Sequence, residues 1–315
     1  MTLSRRAILL PAAILALAAP ARAQSRDTMR LAVPAPGSLG FLVMGDWGRD
    51  GRRPQRDVAE QMGVAAKALD ARFVLVTGDN FYPDGVRGVR DPQWRRSFED
   101  VYTAPSLAVE WFVALGNHDY RGDPQAEVDY TRTSRRWRMP ARYFAVTMAV
   151  APGVTAEFFI IDSSPFIEEY RLTPWKYRLE GTDPARQLAW LDSALRASSA
   201  KWKFIVGHHN VYSGDTRTVI PSMQRLLVPL MKRYGVTAYL CGHEHHLEHI
   251  TRDGAEFIIS GGGSEGSKSR TLGTAGTRFA APGPGFFALS LARDSLLVQA
   301  IDERGRLLYR TSVRR

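Results

Sequence analysis

Five short apolar runs in this chain end at a glycine that is followed by an oxygen or imidazole donor. Phe41-Leu42-Val43-Met44 leads to Gly45-Asp46, Phe73-Val74-Leu75-Val76 to Gly78-Asp79, and Trp111-Phe112-Val113-Ala114-Leu115 to Gly116-Asn117. Phe204-Ile205-Val206 leads to Gly207-His208, and Ala238-Tyr239-Leu240-Cys241 to Gly242-His243-Glu244-His245. Carboxylate, amide and imidazole donors without a thiolate suit iron, zinc and manganese. One Asp or His at such a position is ordinarily a cap or a satisfied core group. A donor at every one of five strand ends is the composition of a metal centre.

Such donors need elements that bring them together. Each apolar run has the length and composition of a buried strand. Between the runs lie helix-period stretches: Val58, Met62, Ala65 and Leu69 share one face, as do Leu188, Leu191 and Leu195. Asp183-Pro184 is a helix start, and a further helix over residues 221–234 should kink at Pro229 and end at Gly235. The carboxy-terminal part, with apolar segments at residues 286–291, 296–301 and 307–309, has consecutive strands instead. The expectation is α/β, with two packed mixed β-sheets flanked by α-helices in four layers. Strand carboxyl ends would converge on one crevice, where ligands gather in such sheets. Gly261-Gly262-Gly263 lacks the Lys and spacing of a phosphate loop and is expected to form a turn.

The motifs Gly45-Asp46-Trp47-Gly48, Gly78-Asp79-Asn80-Phe81-Tyr82, Gly116-Asn117-His118-Asp119, Gly207-His208 and Gly242-His243-Glu244-His245 resemble those of the purple acid phosphatases, within the metallophosphoesterases. The small single-domain type known as tartrate-resistant acid phosphatases is the most similar. Tyr82 fixes the subfamily, and the likeness extends over nearly the whole chain beyond the leader. The resemblance implies the metallophosphoesterase fold and phosphate-monoester hydrolysis. It implies a ferric ion on Asp46, Asp79, Tyr82 and His245, and a divalent ion (Fe2+, Zn2+ or Mn2+) on Asp79, Asn117, His208 and His243. Asp79 would bridge the two, since adjacent cations need a shared anion. Tyr82 would give the ferric site its colour. Metal coordination lowers the pKa of a bound water from 15.7 to about 7 on zinc, so a hydroxide nucleophile is available at acidic to neutral pH. His118 resembles the histidine that orients phosphate and protonates the leaving oxygen.

The likeness breaks after His208. His209-Asn210 stands where the family has Tyr-Pro or His-Pro, and Arg217 stands where mammalian members have a substrate-contacting histidine. An arginine there would bind substrate phosphate but could not donate a proton. His209, His246 and His249 adjoin ligands, but the donor sets are already complete. They are expected behind the ligands or at the surface.

The amino terminus sets the compartment. Ser4-Arg5-Arg6, an apolar run over residues 7–19 and Ala21-Arg22-Ala23 form a signal peptide of probable twin-arginine type over residues 1–23. The run is shorter than the 20 or so residues a membrane span needs, so stable membrane insertion is not expected. The catalytic domain would occupy residues 24–315 and reach the periplasm or the exterior through the export machinery. The formal charge of +10 falls by three to +7 without Arg5, Arg6 and Arg22, which suits an anionic small-molecule phosphate ester. Cys241 is the single cysteine, so no intrachain disulfide is possible. A diesterase or nucleotide phosphatase on the same metals is the alternative function. A basic nucleic-acid-binding module, drawing on Arg135-Arg136-Trp137-Arg138, is a further class, but the complete ligand set argues against nucleic acid as partner.

Overall fold

The computed structural model describes residues 31, 35–215, 220–269 and 272–315. The signal segment at residues 1–23 and Arg217 lie outside the described residues.

The five donor-bearing runs are strands. β1 (Leu39–Met44), β2 (Phe73–Val76), β3 (Glu110–Val113) and β4 (Trp137–Arg138) lie side by side and parallel. The chain then builds a second sheet from β5 (Phe144–Ala151), β6 (Val154–Ile160), β7 (Trp202–Val206), β8 (Ala238–Cys241), β9 (Leu247–Arg252), β10 (Ala255–Ser260) and β11 (Thr277–Ala281). It returns to complete the first sheet with β12 (Gly285–Leu291), β13 (Ser295–Asp302) and β14 (Leu307–Arg314). The orders are β14-β13-β12-β1-β2-β3-β4 and β11-β9-β10-β8-β7-β6-β5. Both sheets are mixed: β1 pairs parallel with β2 and antiparallel with β12, while β10 pairs parallel with β8 and antiparallel with β9.

Strand alternation explains the layers. Phe41 and Val43 point between the sheets, with Phe73, Phe158, Phe204 and Leu240, while Leu42 and Met44 point outward to a separate core. Phe41 stacks on Phe73 at 5.0 Å and meets Phe158 edge-on at 5.4 Å, which locks the sheets by apolar burial and aromatic geometry together. Helix α1 (Gln55–Leu69) covers the outer face of the first sheet through Val58, Met62, Ala65 and Leu69, the stripe expected of it. Short helices α2 (Pro124–Tyr130) and α3 (Glu168–Arg171) precede α4 (Pro184–Ala197) and α5 (Pro221–Tyr234), and the last two cover the second sheet. The Asp183 carboxylate caps α4 at the Arg186 N–H. Gly235 ends α5 in the left-handed conformation, and α5 continues as one element through Pro229. This is the expected four-layer arrangement.

Candidate metal centre

Asp46, Asp79 and Asn117 follow β1, β2 and β3 of one sheet; His208, His243 and His245 follow β7 and β8 of the other. The carboxyl ends of strands from both sheets therefore meet at one crevice. The chain reverses sharply there: Asp46, Asp79 and His243 have φ of 61°, 50° and 69°. This left-handed region costs a non-glycine residue on the order of 1–3 kcal/mol and is visited chiefly by Asn, Asp and His. The preceding glycines permit close approach. A Cβ on Gly116 would lie 2.2 Å from the Asp79 backbone nitrogen, and one on Gly242 would lie 2.3 Å from Asp46 Oδ2.

The donors form two groups. Tyr82 Oη lies 3.1 Å from Asp46 Oδ1, 2.9 Å from Asp79 Oδ2 and 3.1 Å from His245 Nε2. Asn117 Oδ1 lies 3.1 Å from His208 Nε2 and 3.0 Å from His243 Nδ1, and the two imidazole nitrogens are 3.2 Å apart. Asp79 faces both groups: Oδ2 meets Tyr82, and Oδ1 is 3.4 Å from His208 Nε2. Ligands held about 2.0–2.2 Å from one cation stand about 3 Å from one another, so each group fits an ion at its focus. The hydrogen bond between His208 Nδ1 and the Thr77 carbonyl, at 2.9 Å, presents the Nε2 lone pair forward.

The electrostatics agree with that fit. Burial, followed by the Asp46 and Asp79 charges, pushes the Tyr82 phenol well above its ordinary pKa, and only Arg49 opposes. A cation at the focus reverses this, because it stabilises the phenolate that the carboxylates disfavour. Burial opposes ionisation of Asp79, but the charges of His208 and His118 and the His118 N–H hold its carboxyl below the usual range. Burial and then His208 push His243 down to about 3, which leaves it neutral and able to coordinate.

His118 stands apart from both groups at the crevice mouth. Its backbone N–H donates to Asp79 Oδ1 at 2.7 Å, its Nδ1 faces the Pro83 carbonyl at 2.5 Å, and its ring lies 4.4 Å from that of Tyr82. Its side chain is 21% exposed, enough for a substrate to reach Nε2.

Several bracing residues were invisible in the sequence because their partners are distant in it. The Asp119 carboxylate accepts the N–H groups of Asn80, Phe81 and Gly116, tying the Asp79 loop to the Asn117 loop. Glu127 accepts from Asn80 Nδ2 at 2.8 Å; burial and then Asp119 push it well above its ordinary pKa, which favours the neutral acid. Trp47 and Phe81, beside two ligands, are buried 5.6 Å apart in an aromatic cluster with Phe98, Tyr102, Trp111 and Trp137. The Arg49 guanidinium lies 3.8 Å from the centre of the Tyr82 ring, held by Glu265 at 2.7 Å.

Of the two places expected for the remaining histidines the structure takes the interior, and the glycine turn needs correction. His209, His246 and His249 are not surface groups but are fully or almost fully buried. His209 belongs to a compact group with His208 and His243, yet Ser163 Oγ and Tyr170 Oη occupy its two nitrogens at 2.8 and 3.0 Å. His246 and His249 pair with Glu248 and Glu256. Gly261 and Gly263 are more than a turn, since side chains there would strike the Glu244 and Gly45 carbonyls at 2.2 and 2.4 Å. The Arg136 and Arg138 guanidinia are engaged by Glu99 and Glu110, which supports a structural role for that basic run.

Comparison with known proteins accords with this geometry. The calcineurin-like phosphoesterase family profile matches residues 39–247. Purple acid phosphatase 4 of Arabidopsis thaliana is 36% identical over 294 residues, covering 90% of this chain and 86% of its own. Tartrate-resistant acid phosphatase type 5 of Oryctolagus cuniculus is 33% identical, covering 72% of this chain and 73% of its own. A structure of GAP50, the anchor in the inner membrane complex of Plasmodium, superposes with a TM-score of 0.76 at 23% identity, over 88% of this chain and 89% of that one, a likeness of fold alone. The shared fold, the paired donor groups and these relatives have one reading: the chain belongs to the purple acid phosphatases of the calcineurin-like phosphoesterase family, binuclear metal enzymes that hydrolyse phosphate monoesters.

Proposed function

We propose that Asp46, Asp79, Tyr82 and His245 hold a ferric ion and that Asp79, Asn117, His208 and His243 hold Fe2+, Zn2+ or Mn2+. The observation that carries this reading is the division of the Asp79 carboxylate, one oxygen toward each donor group. When bound, the ions supply Lewis acidity toward the phosphate oxygens and acidify a water. The protein's own side chains do the rest. His208 is oriented from behind by the Thr77 carbonyl, and His245 has the Glu265 carboxylate 3.7 Å from its Nδ1. His118, anchored through Nδ1 with Nε2 3.9 Å from Asp79 Oδ2, can hand a proton to a leaving oxygen in its imidazolium form. Burial lowers its pKa while the Asp79 charge favours the imidazolium, so the acid role belongs to acidic pH. Arg217 is proposed as a further phosphate contact.

Metal analysis and a visible spectrum test the assignment. Purified enzyme should carry iron plus a second metal, release phosphate from an aryl phosphate and absorb in the visible. Tyr82→Phe should lose the band while circular dichroism shows an intact fold. Iron-loaded wild-type protein without colour would remove Tyr82 from the ferric site.

Export completes the proposal: the twin-arginine leader delivers the folded, metal-loaded chain to the periplasm or exterior. No helix among the described residues is long and apolar enough to cross a membrane. Replacing Arg5 and Arg6 together by lysine should trap precursor inside the cell. Unchanged export of that variant would assign the leader to the general secretory route.

A further inference from the structure

A separate cavity, of about 720 Å³, is lined by Asp84, Arg87, Arg121, Trp175, Lys176 and Arg178. That is room for a small-molecule group, for which cavities of about 300–1,000 Å³ are usual. The Pro83 carbonyl lies between His118 and Arg121 of this cavity. It faces the His118 ring on one side and takes a long hydrogen bond, 3.5 Å, from Arg121 Nη1 on the other. The proposed acid and a cation of the cavity thus share one backbone oxygen.

The lining has four cations to one carboxylate, and that carboxylate, Asp84, is 3.8 Å from Arg121. No carboxylate among the described residues pairs with the side chains of Arg87, Lys176 or Arg178. Unpaired cations gathered around a concavity raise the local concentration of anions. Trp175 stands at the same cavity with 82% of its surface exposed, the most exposed large hydrophobic side chain among the described residues. An indole in that position gives a planar ring a face to stack on.

Direction follows from chemistry. A general acid protonates the oxygen that departs, so the leaving group lies on the His118 side of the scissile bond. We propose that the cavity is a leaving-group subsite, and that it selects phosphate esters and anhydrides whose leaving group carries both a second negative charge and a planar ring. The proposal rests on the assignment of His118 as the acid. An aryl acid and a nucleoside phosphate both offer this chemistry. The cations meet a charge present before and during bond cleavage, so the subsite acts mainly on KM.

The test compares kcat/KM of the metal-loaded enzyme for four substrates. Phenyl phosphate offers a ring without charge, pyrophosphate charge without a ring, and 4-carboxyphenyl phosphate and adenosine 5′-diphosphate offer both. At least one of the last two should exceed both single-feature substrates. Lys176→Gln with Arg178→Gln should lower the preference for 4-carboxyphenyl phosphate over phenyl phosphate about tenfold, chiefly through KM. Trp175→Ala should lower the preference for the nucleotide over pyrophosphate by a similar factor. The larger loss identifies the source, aryl acid or nucleoside phosphate. These side chains are exposed, so the variants should fold, which circular dichroism checks. No wild-type preference, or preferences unmoved in both variants, would overturn the subsite. Wild-type enzyme with both metals bound that hydrolyses none of the four would instead overturn the metal-site assignment beneath it.

Discussion

Asp79→Ala is expected to empty both metal positions and to lower phosphate release by at least about 10³-fold, more than the 10–100-fold typical of residues behind the ligands. Each Asp79 oxygen faces a different donor group, so no other side chain replaces it. The loss also leaves the His118 N–H without its 2.7 Å acceptor, which loosens the turn that presents the proposed acid. Asp79→Asn separates charge from shape: it keeps the volume and one acceptor oxygen, and should retain less metal than wild type but more than the alanine variant. Metal content per chain, measured beside turnover, decides the matter. An alanine variant holding two metals at near-normal turnover would show that Asp79 does not bridge.

His118→Ala should separate substrates by leaving group. General acid catalysis is worth about 10²–10⁴-fold, and it matters most where the departing alkoxide is a strong base. Alkyl phosphates should therefore slow within that range. Nitrophenyl phosphate, whose phenolate departs with little help, should slow far less. The metal content should remain that of wild type, because His118 is in neither donor group. Equal losses for both substrates would assign His118 to orientation alone.

The proposed donor set was legible in the sequence because its seven residues follow five strands: Asp46 after β1, Asp79 and Tyr82 after β2, Asn117 after β3, His208 after β7, and His243 and His245 after β8. Local pattern placed β2 and β8 at the residues where they occur and β1, β3, β7, β12 and β13 to within about two residues, while β14 continues to Arg314, past the expected 307–309. The strands of the second sheet outside its donor-bearing core were harder to read. β5 is half-exposed along most of its length, and its run Phe144-Ala145-Val146-Thr147-Met148-Ala149 carries no clear polar alternation. The supports of the site were illegible for a different reason. Asp119 lies about 40 residues from Asn80, and Arg49 lies 215 from Ser264, so nothing in the local text marks them as partners. The buried histidine pairs show the limit from the other side, since His246 and His249 look like neighbours of ligands but serve carboxylates inside the fold.

Neither sheet can close a donor group alone. The first supplies Asp46, Asp79, Tyr82 and Asn117, the second His208, His243 and His245, and the sheets are otherwise joined by apolar packing and hydrogen bonds such as Gly45 N–H to the Ser260 carbonyl, in a chain with one cysteine. With the ligands assigned as proposed, the metal pair is a clasp across the open end of the sandwich, in the place a cross-link would take. Binding at a thousandfold excess over Kd contributes about 4 kcal/mol to the folded state, a large part of the 5–15 kcal/mol that holds a typical protein together. Metal supply then sets the lifetime of the fold as well as its catalysis, and metal starvation would act on this protein as warming acts on others.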